Sequence, residues 1–254
     1  MDRTISLITT PSSREPGLDA AVGRVLLRRA SQARSGETFW LRVPQRIVAF
    51  GKRDRLETGY ARAINAAREL GFGSIERLAG GRAAVFHAGT LAFGWTIPCD
   101  YPPDGIKDRF AMVDALLANA FRNLGVVDVR VGEVTGEYCP GEHSINVAGT
   151  HKVMGVGQRL TKHAAHIGGV IVVTDSASVK EVLMPVYAHL GLDWQPETTG
   201  ALEDFLPGVT TDDVHAAVIT ELSLLADLVS TSLPAGTSAE AETLRLDHIP
   251  DVEI

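Results

Sequence analysis

The sequence predicts an α+β domain, a mixed and largely antiparallel central sheet flanked by helices, and three observations support that fold class. Strand-type runs follow one another directly in the middle of the chain, helical periodicities lie on both sides of them, and neither a regular βαβ alternation nor an internal repeat is present. With 254 residues and 45% apolar content the chain can bury one core, so a single catalytic-type domain over residues 1–254 is expected, with residues 233–254 as a flexible tail.

The elements follow in order. ISLITT reads as a short strand, and LDAAVGRVLLRRASQA carries apolar residues at helical spacing with its arginines on the other side. TFWLRVP and RIVAFG are β-type runs separated by Pro44 and Gln45, and a helix over residues 57–70 is closed by Gly71. SIERL, AAVF and TLAFGWTIP read as strands around a glycine turn. After an amphipathic helix over 108–123, four strands are expected in VVDVR, SINVAG, HKVMGVGQRL and HIGGVIVVT. SASVKEVLMPVYAHL and VHAAVITELSLLADLV then read as helices, the second behind the Asp212-Asp213 cap region. LPAGTSAEAE is the one linker-like stretch.

Composition excludes several function classes. A formal charge of −7 argues against general nucleic-acid binding, and no apolar run approaches the roughly 20 residues of a membrane-spanning helix. The N-terminus lacks a secretory pattern, so the expected location is cytoplasmic. Two cysteines, Cys99 and Cys139, cannot build a disulfide framework. His87 follows an apolar triplet with no Cys or His at zinc-type spacing, so no metal site is expected.

Two stretches carry candidate chemistry. In ERLAGGRAAVFHAGTLAF, Gly80 and Gly81 permit positive φ and close approach of a ligand, with Arg77 and Arg82 supplying charge. A slot for an anionic or acyl ligand and a plain turn with two solvent-facing arginines both fit that spacing. In GEYCPGEHSINVAGTHKVMGVGQ, Cys139 sits in a turn-rich segment, where a thiol at the rim can react if a cation or dipole favours its thiolate. Lys152, Arg159, His143 and His151 are the nearby cations, and glycines around Lys152 leave room for an acyl carbonyl. A structural cysteine and a hairpin lysine are the ordinary alternatives.

Together, GGRAAVFHAGTLAF and YCPGEHSINVAGTHKVMGVGQR resemble the biotin/lipoate protein ligase superfamily, on its lipoate and octanoate side. Arg77, Gly80, Gly81, Ala84, Val85, Phe86, His87 and Gly89 match the family's glycine loop, and Lys152 with Gly155 match its lysine motif. Arg82 stands where the ligase loop has a third glycine, Ala88 replaces its acidic residue, and no large C-terminal accessory domain is expected. CPG followed by Lys152 and Gly155-Val156-Gly157-Gln158-Arg159 is similar to the cysteine-dependent octanoyltransferases and lipoyl amidotransferases.

The resemblance implies an enzyme, a lipoyl or octanoyl protein acyltransferase. Cys139 would carry the acyl group as a thioester and Lys152 would hold its carbonyl oxygen. The acyl group would be bound by Arg77, Gly80, Gly81, Arg82, Ala84, Val85, Phe86, His87, Gly155 and Gln158. Acyl carrier protein or acylated H protein would be the donor, and a lipoyl domain or H protein the acceptor. Arg82, Arg159 and Lys162 are expected to guide docking. No tightly bound cofactor is expected. Under the alternative of a lipoate-protein ligase acting through lipoyl-adenylate, ATP and magnesium would be required; a non-catalytic acyl-binding protein is the second alternative.

Overall fold

A computed structural model describes residues 3–252. Strands β1 (Thr4–Ile8), β2 (Thr38–Arg42), β6 (Thr90–Pro98), β7 (Val129–Val131), β8 (Ile145–Val147), β9 (His151–Leu160), β10 (Ala164–Val172) and β11 (Asp227–Thr231) form one sheet. Its spatial order is β11-β1-β2-β6-β10-β9-β8-β7, with β1 parallel to both β2 and β11 and every other pairing antiparallel. A second, three-stranded sheet is built from β4 (Gly73–Glu76), β3 (Ile47–Phe50) and β5 (Ala84–Phe86) in the order β4-β3-β5. The predicted fold class is the one observed.

Alternation along the central strands sorts the large side chains from the small ones. Phe93 and Trp95 of β6 and Ile167 and Ile171 of β10 enter the main core with residues of helices α3 (Ile106–Leu124) and α5 (Thr211–Ser223). Each such buried side chain stabilises the fold by about 1.5–3 kcal/mol. Ala92 and Gly94 of β6 and His166 and Gly168 of β10 line a cavity beside helix α1 (Leu18–Ser31). Small residues across paired strands thus leave space where large ones would have filled it. Helices α2 (Tyr60–Glu69) and α4 (Ser176–Leu190) pack on each other and share a core with the small sheet and with Tyr138.

Helix ends follow local chemistry. Asp175 caps α4 by accepting from the Ser178 N–H at 3.1 Å, and Thr210 with Asp213 closes a capping box on α5. Gly125, at φ 105°, ends α3.

Two expectations are corrected. The helix read through residue 229 ends at Ser223, and Asp227–Thr231 is β11, paired in parallel with β1. Pairing with a strand more than 200 residues away leaves no local signature. The expected flexible tail carries helix α6 (Thr237–Glu242) and a 3-10 turn at Arg245–His248, both packed on α1. Arg29 of α1 donates to Thr237 Oγ1 at 2.8 Å and to Glu240 at 2.9 Å, which fastens the segment. Residues 253 and 254 lie outside the described residues. Among the described residues no helix is long and apolar enough to cross a membrane.

Candidate active site

Cys139 lies in the loop between β7 and β8 with φ 43°, a left-handed conformation that a non-glycine residue holds only when its surroundings impose it. Two groups do so. The Cys139 N–H donates to the Tyr187 hydroxyl at 2.8 Å, and that hydroxyl donates onward to the Ala83 carbonyl at 3.0 Å. From the other side, Lys152 Nζ donates to the carbonyls of Tyr138 and Cys139 at 3.0 and 2.8 Å and to Glu137 Oε1 at 2.9 Å.

Glu137 organises this loop. Its buried carboxylate accepts from the Val134 and Gly141 N–H groups at 3.0 and 3.2 Å and from Ser144 Oγ at 2.5 Å, besides Lys152. Such a buried pair is tolerable because both carboxylate oxygens accept further hydrogen bonds. A Cβ at Gly155 would stand 3.2 Å from Lys152 Cε, so the glycine makes room for the lysine stem.

The thiol faces the glycine loop. Cys139 Sγ accepts from the Arg82 N–H at 3.1 Å and lies 3.7 Å from Arg77 Nη1, which also donates to the Arg82 carbonyl at 3.0 Å. Gly81, at φ 114°, lets the loop come this close: a Cβ there would stand 2.9 Å from Sγ and 3.0 Å from Arg77 Nη1. A backbone N–H and a guanidinium aimed at one sulfur can receive negative charge on it.

Sγ opens onto a pocket lined by Gly80, Gly81, Ala84, Lys152, Gly155 and Gln158 among others, and Arg77, Phe86 and Gly169 line both it and the cavity beside α1. That second cavity is predominantly apolar, with Leu26, Trp40, Ile75, Leu78 and Phe93 in its walls. Besides Arg77, its polar groups include His166, whose Nδ1 is 2.9 Å from Thr96 Oγ1, and Arg42, which pairs with Asp19 at 3.0 Å and lies over the Trp40 ring. Burial, reinforced by the Arg42 charge, pushes the His166 imidazole down to about 4, so it is neutral at pH 7. The arrangement suits an apolar chain with a carbonyl at the sulfur.

Of the residues singled out in the sequence, Arg77, Gly80, Gly81, Ala84, Phe86, Cys139, Lys152, Gly155 and Gln158 meet around this pocket. Three do not serve as expected. Val85 points into the core shared with α2 and α4, as strand alternation from Ala84 and Phe86 requires. His87 lies on the far side of β5 beside Arg46 and Thr174, its Nδ1 accepting from the Gly89 N–H at 3.0 Å. Arg82 contributes its backbone N–H, while its guanidinium pairs with buried Asp54 and with Glu57 at 3.2 and 2.8 Å and so is not a free docking cation. Burial raises the Asp54 carboxyl, against the pull of the Gly51 N–H and Arg82.

The cations also change places. Arg77, not Lys152, His143 or His151, stands at the sulfur: His143 pairs with Asp114 at 2.7 Å, and His151 contacts Thr150 and Phe205. Glu137, Tyr187, Trp40, Arg42 and His166 were not anticipated. The facing glycines Gly94 and Gly168 were the one available signal for a cavity.

Comparison with known proteins supplies the family and the fold. Residues 15–223 match the lipoyl protein ligase A/B catalytic domain. The octanoyl-[GcvH]:protein N-octanoyltransferase of Geobacillus kaustophilus is 26% identical over 167 residues, 66% of this chain and 58% of the relative, so the chain spans little more than half of that protein. The protein of the same name from Exiguobacterium sibiricum is 26% identical over 235 residues, 87% of this chain and 84% of the relative. Among solved structures, a T. acidophilum protein with bound lipoic acid superposes with a TM-score of 0.76 at 20% identity, covering 97% of this chain and 96% of that one. A lipoate-protein ligase A bound with ATP gives 0.72 at 20% identity, covering 96% and 94%. These likenesses extend the shared fold beyond the matched segment. The chain belongs to the lipoyl protein ligase A/B catalytic domain family.

Proposed function

We propose that this protein is an octanoyl- or lipoyl-transferring enzyme that carries the acyl group on Cys139 as a thioester and delivers it to a lysine of a protein acceptor. The observation that carries this reading is the setting of Cys139 Sγ: it faces a pocket that shares Arg77, Phe86 and Gly169 with the apolar cavity beside α1, in contact with the Arg82 N–H and near Arg77. An attacking thiolate and a departing one would both be stabilised by those donors. Burying an eight-carbon chain at about 0.8 kcal/mol per methylene supplies binding energy without metal or nucleotide.

The relatives' name carries octanoyl-GcvH on one side and a protein on the other. On this reading GcvH, the glycine-cleavage H protein, is one protein partner of the present chain. Exchange between two lysine amides is close to thermoneutral, so GcvH serves as acceptor or donor according to which side is charged. Acyl carrier protein is the alternative donor. Lys152 acts here by shaping the cysteine loop through Glu137 and two carbonyls, in place of the direct hold on the acyl oxygen expected from the sequence.

The ATP-dependent ligase is the competing chemistry. Arg82, at the third glycine position of the ligase loop, is neutralised by Asp54 and Glu57 and offers no free cation to a triphosphate. The proposal is tested by incubating the chain separately with octanoyl-acyl carrier protein, octanoyl-GcvH, and lipoate with ATP and magnesium. Acyl transfer to a lipoyl domain is expected from a protein-bound donor. Product from the third mixture, with pyrophosphate released by a Cys139→Ala variant, would establish the ligase instead.

A further inference from the structure

We infer that residues 235–249 set the acyl-chain selectivity of this protein by holding the two walls of the apolar cavity at a fixed separation, with Thr237 and His248 as the positioning residues; the inference rests on the transferase reading above. The segment lies beyond the residues that match the family, and none of it lines the cavity itself. Its effect on the cavity is exerted from behind the walls.

The cavity lies between two elements that would otherwise pack on each other. Ala20, Gly23 and Leu26 of α1 form one wall, and Ile75 of β4, with Arg77 and Leu78 after it, forms the other. Side chains that face a cavity lack partner atoms on that side and lose the dispersion contacts that would fix their distance. Leu78 reaches across: a Cβ on Gly23 would stand 3.6 Å from Leu78 Cδ2. The spacing of the walls therefore depends on supports outside the cavity.

Residues 235–249 supply them. Helix α6 and the Arg245–His248 turn pack along α1, and the turn packs on β4 as well. At the C-terminal end of α1, buried Arg29 donates to Thr237 Oγ1 at 2.8 Å and to the Ala235 carbonyl at 3.0 Å. At its N-terminal end, Gly17 brings the segment into tight contact: a Cβ there would stand 3.0 Å from the Arg245 carbonyl oxygen and 3.1 Å from Ile249 Cδ1.

His248 then takes hold of the second wall. Its Nδ1–H donates at 2.8 Å to the carbonyl of Glu76, between the cavity residues Ile75 and Arg77, and the residue is only 5% exposed. Nε2 is buried without a partner, so this bond is the ring's single polar tie. The preceding residue, Asp247, pairs with Arg24 of α1 at 2.7 Å, so consecutive residues grip opposite walls. That ion pair is exposed and contributes little by itself, which leaves the buried bonds of Thr237 and His248 to carry the hold. Arg77 continues from this wall to the sulfur, 3.7 Å from Cys139 Sγ.

Walls at fixed spacing bury each methylene fully, whereas walls free to drift apart weaken the grip on a long chain and spare a short one that ends near the sulfur. Acylation of Cys139 by octanoyl-pantetheine and by butyryl-pantetheine tests this. The burial of four methylenes should favour octanoyl by roughly 200-fold in kcat/KM. His248→Leu keeps the bulk of the ring and removes the donor. It should lower that ratio by about 10-fold, the burial of somewhat under two methylenes, through KM for the octanoyl donor and with butyryl kinetics unchanged. His248→Asn, which restores an N–H near the Nδ1 position, should recover the ratio. Thr237→Val, which removes the Arg29 acceptor, should shift the ratio in the same direction and gives the reading if His248→Leu does not fold. Equal loss with both donors, or an unchanged ratio in both variants, overturns the inference. Calorimetric affinities for N-octanoyl-lysine and N-butyryl-lysine read the same selectivity without transfer. A parent chain that takes an acyl group from neither donor, yet shows the shift in affinities, would remove the transferase reading and leave the role of His248 standing.

Discussion

Lys152 Nζ and Glu137 Oε1 meet at 2.9 Å with side chains only 1% and 0% exposed, and the same ammonium holds the carbonyls of Tyr138 and Cys139. The pair therefore links the lysine motif to the shape of the cysteine loop. Removing one partner leaves an uncompensated buried charge or an open cage, so Lys152→Ala and Glu137→Ala should each destabilise the protein by about 3–5 kcal/mol. Urea unfolding measures this. Cys139 alkylation by iodoacetamide should change in both variants, and unchanged stability in both would show that the pair does not hold the loop.

Gly81→Ala should spare the fold and impair the chemistry. The new methyl meets Sγ at 2.9 Å in a φ 114° conformation, which displaces either the thiol or the glycine loop. Strain of this kind costs about 1–3 kcal/mol, and a misplacement of about 1 Å lowers turnover roughly 100-fold. Gly71→Ala is the matched control: φ there is 77°, but no atom lies near its Cβ position. It should cost stability without comparable loss of turnover.

Tyr187→Phe removes one hydroxyl that bonds both Cys139 N–H and Ala83 carbonyl. Leaving those groups unpaired in the interior should cost about 1–3 kcal/mol. Because Tyr187 joins the cysteine loop to the start of β5, turnover should fall while the melting transition stays cooperative. Calorimetry alongside steady-state kinetics distinguishes the two effects.

Much of this arrangement could be read from the sequence, and the remainder had physical reasons for staying hidden. Periodicity revealed α1 through α4 and strands β8 to β10, because each carries its own pattern of apolar side chains. β11 depends on β1, and α6 on Arg29, partners far away in the chain. Arg77 and Lys152 were both visible as cations, but which one reaches Cys139 depends on the loop conformation that Glu137 and Tyr187 enforce. An acyl slot was expected, but these walls of the apolar cavity were not, because Trp40, Gly94, His166 and Gly168 come together only through strand register.

The pH dependence of stability follows from His166. Its imidazole is lowered to about 4 by burial and by Arg42, against about 6.5 when unfolded. Between those values the unfolded chain binds more protons than the folded one. The contribution is therefore complete above pH 6.5 and is lost as pH falls toward 4, amounting to at most about 3 kcal/mol. Melting temperatures from pH 7.5 to 4.5 should drop less steeply in His166→Asn than in the parent chain. Parallel slopes would contradict the assignment.

The central claim is that Cys139 Sγ carries the acyl group, and the most direct measurement is intact and peptide mass spectrometry of the chain quenched during turnover with an octanoyl donor. One octanoyl group, released by neutral hydroxylamine, should map to the peptide containing Cys139. It should be absent from Cys139→Ala and retained in Cys99→Ala, since Cys99 lies in a separate groove beside Ser31 and Arg34. A Cys139→Ala protein that transfers octanoyl groups at the parent rate, with no adduct on the parent chain, would contradict the account.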